Sequence, residues 1–435
     1  MRRFKSLNGL GRAARSRSAL VSIAAAAAVL IFSTLASAQA LGQKPSGTQT
    51  SRRIPIMTWP GPDTPLLSLE TFRTEAAAGF SVNFSSFGDR TINVKALDLA
   101  RAAGLKLMVY DSRIEKLLAD KSLPLDPLAA VVNDYRSHPA LFGYFITDEP
   151  NAAAFERLGA IVKRLRELDP DHPAYINLFP TYANEQQLGT PTYEEHVTRF
   201  LETVRPPFVS YDHYPVRKSG LRPDYYRNLE IIRRMSMERG LAFWAFTLVT
   251  PHYDYPPPTA GHIRLQLFSD LAYGAKALQY FTYGTPGGAD EFGTGLIGKD
   301  GIPGPAYPFA REVNAEIRRI EDIVLRWRSE AVYHSDPVPD GAKPLPSDAP
   351  VRSVSGAPLV VGILSDGPAT YVMLVNRDYE NPRTAFVRFA AHVRELREIA
   401  KNDKPTANVC WPADQDEHYS ALDFAPGDAR IFRLK

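Results

Sequence analysis

Cysteine is almost absent from this chain of 435 residues, in which Cys410 is the only one. A single thiol cannot form an internal disulfide, so the fold depends on packing even in an oxidising compartment. With 44% hydrophobic and 23% charged residues, the composition can supply a large core. It therefore excludes a disordered chain and a disulfide-stapled small protein, and the length indicates one or two globular domains.

A strong excess of charge of one sign is also missing. The 51 Lys and Arg exceed the 48 Asp and Glu by three, but six of the basic residues lie in the first forty positions, where there is no acid. Without that segment, 45 basic residues face 48 acidic ones, which is a net charge of −3. A mildly acidic chain with scattered charges has no electrostatic reason to bind nucleic acid.

The first forty residues have the organisation of an export signal. A basic stretch precedes an apolar run from Ala19 to Leu35, and small residues follow, with cleavage expected near Ala38 or Ala40. The alternative is an uncleaved membrane anchor, although about seventeen apolar residues are marginal for a bilayer about 30 Å thick. We expect a periplasmic or secreted protein without stable membrane insertion after cleavage, with a polar linker at residues 41–53.

Eight short apolar or aromatic runs, separated by amphipathic patterns, predict a barrel. The runs are residues 54–59, 80–87, 105–110, 142–147, 174–178, 208–211, 242–248 and 277–283. Strands that are apolar on both faces and alternate with helices are typical of a parallel sheet, and eight of them can close. An open doubly wound sheet is the alternative, but no Gly-rich G-x-G-x-x-G turn follows the first strand. The predicted fold class is therefore α/β, a (β/α)8 TIM barrel over residues 54–330.

The composition changes after a predicted helix from Arg311 to Arg328. Several prolines mark a linker at residues 331–350, and a region with turn residues between alternating runs extends over residues 351–435. These runs are residues 359–364, 370–375, 385–389 and 429–434. They predict a small antiparallel β-sandwich-like domain after the barrel.

Polar and aromatic side chains are concentrated where the predicted barrel strands end, and function is expected there because that rim gathers the βα loops. The predicted substrate-binding residues are Trp59, Asp148, Asn177, Tyr182, Tyr214 and Trp244. Aromatic faces cover the C–H surface of sugars, and carboxylates and amides bind hydroxyl groups. Phosphate binding is disfavoured because the rim has neither a basic cluster nor a Gly-rich loop. We therefore expect a neutral carbohydrate substrate, no cofactor, and no metal ion, since His and Asp lack a fixed metal-ligand spacing.

The most informative motif is G-Y-F-I-T-D-E-P at residues 143–150, at the end of the fourth strand. The neighbouring Asp148 and an apolar approach would keep a proton on Glu149 near neutral pH, as a general acid requires. The alternative interpretation is that both acids cap the following helix.

At this motif the chain resembles barrel glycoside hydrolases of the large retaining clan that includes the family 42 type β-galactosidases and cellulase-like enzymes. The resemblance covers roughly residues 54–328. Members have Asn-Glu, often followed by Pro, at the fourth strand, so the resemblance implies that Glu149 is the acid/base. Asp148 replaces the clan's Asn. The clan's nucleophile is a Glu at the end of the seventh strand, and F-W-A-F-T-L-V-T at residues 243–250 contains none.

The second carboxylate must therefore come from elsewhere. The first choice is Asp212, in S-Y-D-H-Y-P at residues 210–215, because hydrogen bonds from its neighbours could hold it ionised as a base or nucleophile. A structural Asp bonded to loop amides is the alternative, and Asp111, Asp254 and Glu291 are reserves. Carboxyl groups about 5 to 5.5 Å apart would indicate retention, and about 6.5 to 9.5 Å inversion.

These features together predict an exported glycoside hydrolase. It would cleave the O-glycosidic bonds of a neutral oligo- or polysaccharide by carboxylate acid/base catalysis, with Glu149 and Asp212 as the pair. The alternative is a carbohydrate-binding barrel without catalysis, which is consistent with the missing seventh-strand Glu. Release of reducing sugar distinguishes the two, because a pure binder only shifts in melting temperature.

Overall fold

The computed structural model describes residues 53–287, 292–412 and 418–435, so the predicted export signal and nearly all of the predicted linker lie outside the described residues. The barrel strands are β1 (Ile56–Trp59), β2 (Val82–Gly88), β3 (Lys106–Asp111), β4 (Leu141–Asp148), β5 (Ala174–Leu178), β6 (Val209–Tyr211), β9 (Phe243–Leu248) and β10 (Ala277–Phe281). They close into a parallel barrel in the order β1-β10-β9-β6-β5-β4-β3-β2. The predicted (β/α)8 TIM barrel is confirmed.

Helices follow the barrel strands on the outside. They are α1 (Leu69–Ala77), α2 (Arg90–Ala103), α3 (Ser112–Ala119), α4 (Leu128–Tyr135), α5 (Phe155–Leu168), α6 (Glu185–Leu188), α7 (Tyr193–Thr203), α8 (Tyr225–Met237), α9 (Ala260–Tyr273) and α10 (Tyr307–Arg326). A two-stranded hairpin, β7 (Val216–Arg217) and β8 (Gly220–Leu221), lies between β6 and α8.

Local sequence signals explain where these helices begin and end. The Asp89 side chain accepts hydrogen bonds from the backbone N–H groups of Thr91 and Ile92 at the start of α2, which satisfies donors that have no partner within the helix. Gly104 ends α2 in the left-handed conformation, with φ of 78°, which glycine adopts without steric cost. Such caps fix the point at which each helix turns back to the next strand.

Large side chains fill the barrel interior. Met57, Trp59, Phe84, Phe145 and Tyr175 belong to one buried cluster inside the strands. A separate and larger cluster lies between the strands and the surrounding helices. Because the strands are buried on both faces, their sequences are nearly continuous apolar runs, and this is why the runs were visible in the sequence.

The C-terminal region forms two antiparallel sheets. Its strands are β11 (Arg328–His334), β12 (Val351–Ser355), β13 (Leu359–Asp366), β14 (Ala369–Asn376), β15 (Arg383–Phe389), β16 (Glu395–Glu398), β17 (Asn408–Cys410), β18 (His418–Phe424) and β19 (Ala429–Leu434). One sheet has the order β11-β13-β14-β19-β16-β17 and the other β12-β15-β18, with a buried core of side chains from both. This confirms the predicted β-sandwich-like domain.

The start of this domain differs from the expected linker at residues 331–350. β11 follows α10 almost directly and pairs antiparallel with β13, with Val332 opposite Gly362. The alternation of buried and exposed residues along β11 is that of a strand with one face on a core. The first residues of the expected linker therefore belong to the sheet.

Buried charges join the C-terminal domain to the barrel. Lys401 Nζ donates to Glu316 Oε2 of α10 at 2.8 Å and to Asp428 Oδ1 at 2.7 Å, and all three side chains are buried. Close backbone packing accompanies this network, because a Cβ on Gly261 of α9 would collide with the carbonyl oxygen of Tyr379. The two parts therefore pack as one body around α9 and α10.

Within the described part of the chain, none of the helices combines the length and the apolar character that crossing a membrane requires.

Candidate active site

The acids of the D-E-P motif lie where β4 ends. Asp148 is the last residue of β4, and Glu149 follows it with φ of 44°, a left-handed conformation that is unfavourable for a residue with a Cβ. Side chains of consecutive strand residues normally point to opposite faces. The left-handed turn breaks this alternation, and the charge of Asp148 raises the pKa of Glu149, so the two carboxyl groups share one environment. Such strain at a rim acid is typical of functional sites.

Helix capping, the alternative interpretation of this motif, is wrong. The side chain of Asn151 accepts a hydrogen bond from the backbone N–H of Ala153 at 2.9 Å and caps the short 3-10 turn Ala152–Ala154 that precedes α5. The backbone N–H of Glu149 instead donates to the carbonyl oxygen of Asn177 at 2.9 Å. That bond ties the motif to the neighbouring strand β5.

Asn177, at the end of β5, links two of the predicted acids. Its Nδ2 donates to Asp148 Oδ1 at 3.1 Å and to Asp212 Oδ1 at 2.9 Å. Its Oδ1 accepts a hydrogen bond from Ser210 Oγ at 2.9 Å, which fixes the orientation of the amide. The structure therefore brings Asp148, Asn177 and Asp212 together, from three neighbouring strands.

A second layer of polar side chains below Asn177 was not identified from the sequence. Gln279 Nε2 donates to Ser210 Oγ at 2.9 Å, and the Tyr175 hydroxyl donates to Gln279 Oε1 at 2.6 Å. All three residues are buried. The sequence did contain a sign of this layer, namely a single Gln or Ser in an otherwise apolar barrel strand. A buried polar group needs a hydrogen-bond partner, so such a residue predicts a polar neighbour inside the barrel.

The three acids hold their protons unusually tightly. Burial, and then the charge of Asp148, raises the pKa of Glu149 to about 7. Burial raises the pKa of Asp148 to about 6, and burial with the charges of Glu149 and Asp148 raises the pKa of Asp212 well above its ordinary value. The hydrogen bond from Asn177 favours the ionised form of Asp212, as expected, but desolvation and the like charges outweigh it and raise the pKa.

Glu149 and Asp212 act on each other electrostatically. The charge of Glu149 raises the pKa of Asp212, and a side-chain hydrogen bond with Asp212 partly offsets the rise in the pKa of Glu149. The two carboxyl groups therefore titrate as a coupled pair.

The acids differ in their access to solvent. Asp148 is exposed, Glu149 is half-buried, and Asp212 is 7% exposed. Asp148 is exposed to water, although partial burial of its carboxyl group raises its pKa. The space in front of these three acids at the barrel rim is called the hollow below. Of the three, Asp148 offers the most accessible carboxylate to a ligand.

Aromatic side chains lie near these acids and below them. Tyr214 follows β6, and burial, with the charges of Asp212, Asp148 and Glu149, raises its pKa. Tyr182 is 38% exposed, and burial together with the charge of Asp212 raises its pKa as well. Trp59, at the end of β1, lies in the buried cluster inside the barrel, where it stacks on Phe84 with ring centroids 4.3 Å apart. The predicted residues Tyr182 and Tyr214 thus lie near the acids, and Trp59 lies deeper.

Trp244 does not lie at this rim, contrary to the prediction. It is the second residue of β9, near the amino end of the strand, and its indole stacks on Phe208 at 4.1 Å with the rings parallel. With 5% exposure it is a core residue of the lower barrel. The prediction failed because β9 continues to Leu248, so the strand end that faces ligand is four residues further along.

The reserve carboxylates have other roles or fall outside the description. Asp111 caps α3 and binds the Arg113 guanidinium at 2.8 Å, which lowers its pKa. Asp254 lies 3.7 Å from Arg217 in an ion pair at the surface. Glu291 lies outside the described residues.

Comparisons with known proteins bear on the fold. No protein-family model matches the chain, and no characterised protein matches its sequence. Among solved structures, a β-galactosidase from the psychrophilic Marinomonas ef1 is similar at a TM-score of 0.44 and 12% identity, over 62% of this chain and 60% of that one. A β-galactosidase from Rahnella sp. R3 aligns at 0.46 and 12%, over 65% and 58%. A family 10 xylanase from Thermobacillus composti aligns at 0.40 and 16%, over 60% and 95%. The chain thus spans less than two thirds of the two β-galactosidases, and these neighbours are barrel glycoside hydrolases.

Proposed function

We propose that this protein is an exported glycoside hydrolase that cleaves O-glycosidic bonds of a neutral oligo- or polysaccharide. The observation that carries the proposal is Glu149, an acid at the carboxyl end of a barrel strand whose pKa is raised to about 7. A group that titrates near the working pH can both give up and take back a proton, as glycoside hydrolysis requires. Export rests on the basic and apolar pattern of residues 1–40.

Asp212 is the proposed partner of Glu149 in proton exchange. Its hydrogen bond to Glu149 and its own raised pKa support a shared proton, with Asp212 as a buried reservoir beside the accessible acid. Two carboxyl groups that share a proton titrate as a pair, with two apparent pKa values. This coupling would keep Glu149 protonated in a fraction of molecules across the neutral range.

The substrate-binding set of this proposal is Trp59, Asp148, Asn177, Tyr182 and Tyr214. The indole of Trp59 supplies an apolar face under the hollow, and Asp148 supplies an accessible acceptor for hydroxyl groups. The resemblance of the D-E-P motif to the retaining clan of family 42 type β-galactosidases and cellulase-like enzymes supports the proposal, although the clan's seventh-strand Glu is missing here.

The test compares the full chain with Glu149→Gln in a glycan panel that measures released reducing sugar. Gln is nearly isosteric but cannot donate an acid proton, so turnover should fall by about 10² or more while ligand-induced stabilisation persists. Glu156→Gln, an exposed change in the first turn of α5, is the matched control and should leave turnover unchanged.

Equal turnover in the wild type and Glu149→Gln would overturn the assignment of the acid. A shift in melting temperature with a glycan, without any release of sugar by the wild type, would instead identify a carbohydrate-binding barrel.

A further inference from the structure

None of the described acids of this site is an obvious nucleophile for the anomeric carbon of a sugar. In a two-carboxylate retaining mechanism, one carboxylate attacks the anomeric carbon from the side opposite the acid, so the pair must flank the scissile bond. The seventh barrel strand and the residues after it, 243–250, contain no Asp or Glu. Asp254 is paired with Arg217 at the surface, so among the rim acids that the structure describes the candidate nucleophiles are Asp212 and Asp148, and the alternative is a group on the substrate.

Asp212 is poorly suited to attack carbon. It is 7% exposed, its Oδ1 accepts a hydrogen bond from Asn177 at 2.9 Å, and the charges of Glu149 and Asp148 act on it. A nucleophilic carboxylate must be ionised and must reach the anomeric carbon at van der Waals distance. Burial and two neighbouring negative charges work against both conditions.

Asp148 is ionised and accessible, but it lies on the same wall as the acid. Consecutive residues have Cα atoms ~3.8 Å apart, and Asp148 and Glu149 both extend from the end of β4. Two carboxyl groups on one wall approach a sugar from the same side and cannot flank its bond. Asp148 can therefore contact a group next to the anomeric carbon but cannot replace the opposite nucleophile.

We propose that the substrate carries a 2-acetamido group, that the carbonyl oxygen of this group is the nucleophile, and that Asp148 holds the group in place through its N–H. This inference rests on the proposed function, because it retains Glu149 as the acid/base. A sugar 2-acetamido group is adjacent to the anomeric carbon, and its oxygen reaches that carbon in a five-membered ring.

The atoms balance over two steps. Glu149 donates its proton to the glycosidic oxygen as that oxygen leaves C1, and the acetamido oxygen bonds to C1 from the opposite face, which gives a cyclic oxazolinium ion. Water then bonds to C1, Glu149 takes a proton from it, and the bond from C1 to the acetamido oxygen breaks. One water is consumed, the acetamido group is restored, and the configuration at C1 is retained.

Three features of the hollow fit this chemistry. Asn177 holds Asp148 Oδ1 at 3.1 Å, so the carboxylate is oriented before substrate arrives. The negative charge of Asp148 would stabilise the positive charge and the N–H of the oxazolinium ion. Trp59 and Phe145, whose ring centroids are 5.1 Å apart, belong to the apolar cluster inside the barrel, and in this proposal that cluster provides the apolar surface for the acetyl methyl group.

The experiment uses 4-nitrophenyl glycosides with the full chain. The panel contains gluco and galacto sugars in both anomeric forms, each with a 2-hydroxyl or a 2-acetamido group. The acetamido substrate of the accepted configuration should react at least about 100-fold faster in kcat/KM than its 2-hydroxyl counterpart. Its N-trifluoroacetyl analogue should lose at least about 10-fold in kcat, because fluorine withdraws electrons from the attacking oxygen.

Variants test the role of Asp148 separately. Asp148→Asn should lower kcat on the acetamido substrate by about 100-fold and should largely abolish the rate difference between acetyl and trifluoroacetyl substrates. Asp63→Asn, an exposed carboxylate after β1 without a capping bond, is the matched control and should behave as the wild type.

The outcomes distinguish this inference from the function beneath it. Efficient cleavage of 2-hydroxyl substrates, with a 2-deoxy-2-fluoro glycosyl adduct on Asp212 or another carboxylate, would overturn the inference and leave a glycosidase. A trifluoroacetyl substrate as fast as the acetyl one would also overturn it. Release of 4-nitrophenol from none of the panel, together with no release of sugar from polymeric glycans, would overturn the proposed function itself.

Discussion

Asp148→Asn should shift the pH dependence of catalysis in a direction that the structure fixes. In the proposed mechanism Glu149 acts as an acid, so the alkaline limb of kcat/KM should follow its loss of a proton, which is expected near its pKa of about 7. The negative charge of Asp148 opposes that loss and is the second cause of the raised pKa after burial. Removing the charge must therefore lower the pKa of Glu149 and move the limb to lower pH.

The size of the shift follows from Coulomb's law. For a separation of about 6 Å between the carboxylates of two consecutive residues, Coulomb's law gives a repulsion of about 0.7 kcal/mol in water and about 2.8 kcal/mol near a protein surface. Since about 1.4 kcal/mol corresponds to one pKa unit, these limits are about 0.5 and 2 units. Water reaches Asp148, so the expected shift is about one unit.

The assay is kcat/KM between about pH 4 and pH 9, measured for the wild type, Asp148→Asn and the control Asp63→Asn. The amide can still accept the hydrogen bond from Asn177, so the geometry of the neighbouring strand is kept. An alkaline limb that stays in place, or that moves to higher pH, would refute the reasoning, because either result means that the charge of Asp148 does not act on the catalytic acid.

Two further predictions concern stability. Burial raises the pKa of Glu75 to about 8, so the native state loses stability as the pH rises from the ordinary pKa of a glutamate, near 4.5, to about 8. The variant Glu75→Gln removes the charge, and its new amide can donate a hydrogen bond to Asn83 Oδ1, which has no partner in the structure. This variant should exceed the wild type in melting temperature at pH 8 and match it near pH 4, and a larger gain at pH 4 would contradict the explanation. Lys401→Met removes the cation that binds the buried carboxylates of Glu316 and Asp428. The free energy of unfolding should fall by about 3 to 5 kcal/mol in thermal or chemical unfolding. An unchanged midpoint would mean that other contacts stabilise the network.

The barrel was readable in the sequence because its strands are buried on both faces. Each strand is a continuous apolar run, and the helices between them have their own period, so all eight strands were found within two residues at their amino ends. The C-terminal strands were harder. β16 (Glu395–Glu398) and β17 (Asn408–Cys410) are short and carry charged or polar residues, so periodicity could not distinguish them from loops.

The site was readable only in part, and the limit was distance along the chain. Glu149 and Asn177 were identified because strand ends define the rim of a barrel. The bond from Tyr175 to Gln279 joins residues 104 positions apart, and no local pattern indicates that they meet below Asn177. The protonation of Asp212 was also misjudged, since it depends on desolvation and on charges from another strand.

The charge distribution around the hollow is consistent with a neutral, N–H-bearing substrate. Burial, the neighbouring acids, the side-chain amide of Asn177 and a backbone hydrogen bond shift the pKa values of Asp148 and Glu149. No cation is among these causes. Arg222 lies against two tyrosines, with its guanidinium 4.0 Å from the centroid of the Tyr182 ring and 3.1 Å from the Tyr255 hydroxyl. Near pH 7 the hollow therefore carries net negative charge, which would repel an acidic sugar and attract an N–H donor. The combination of acids and the absence of a cation among the groups that shift their pKa would thus select against anionic glycans.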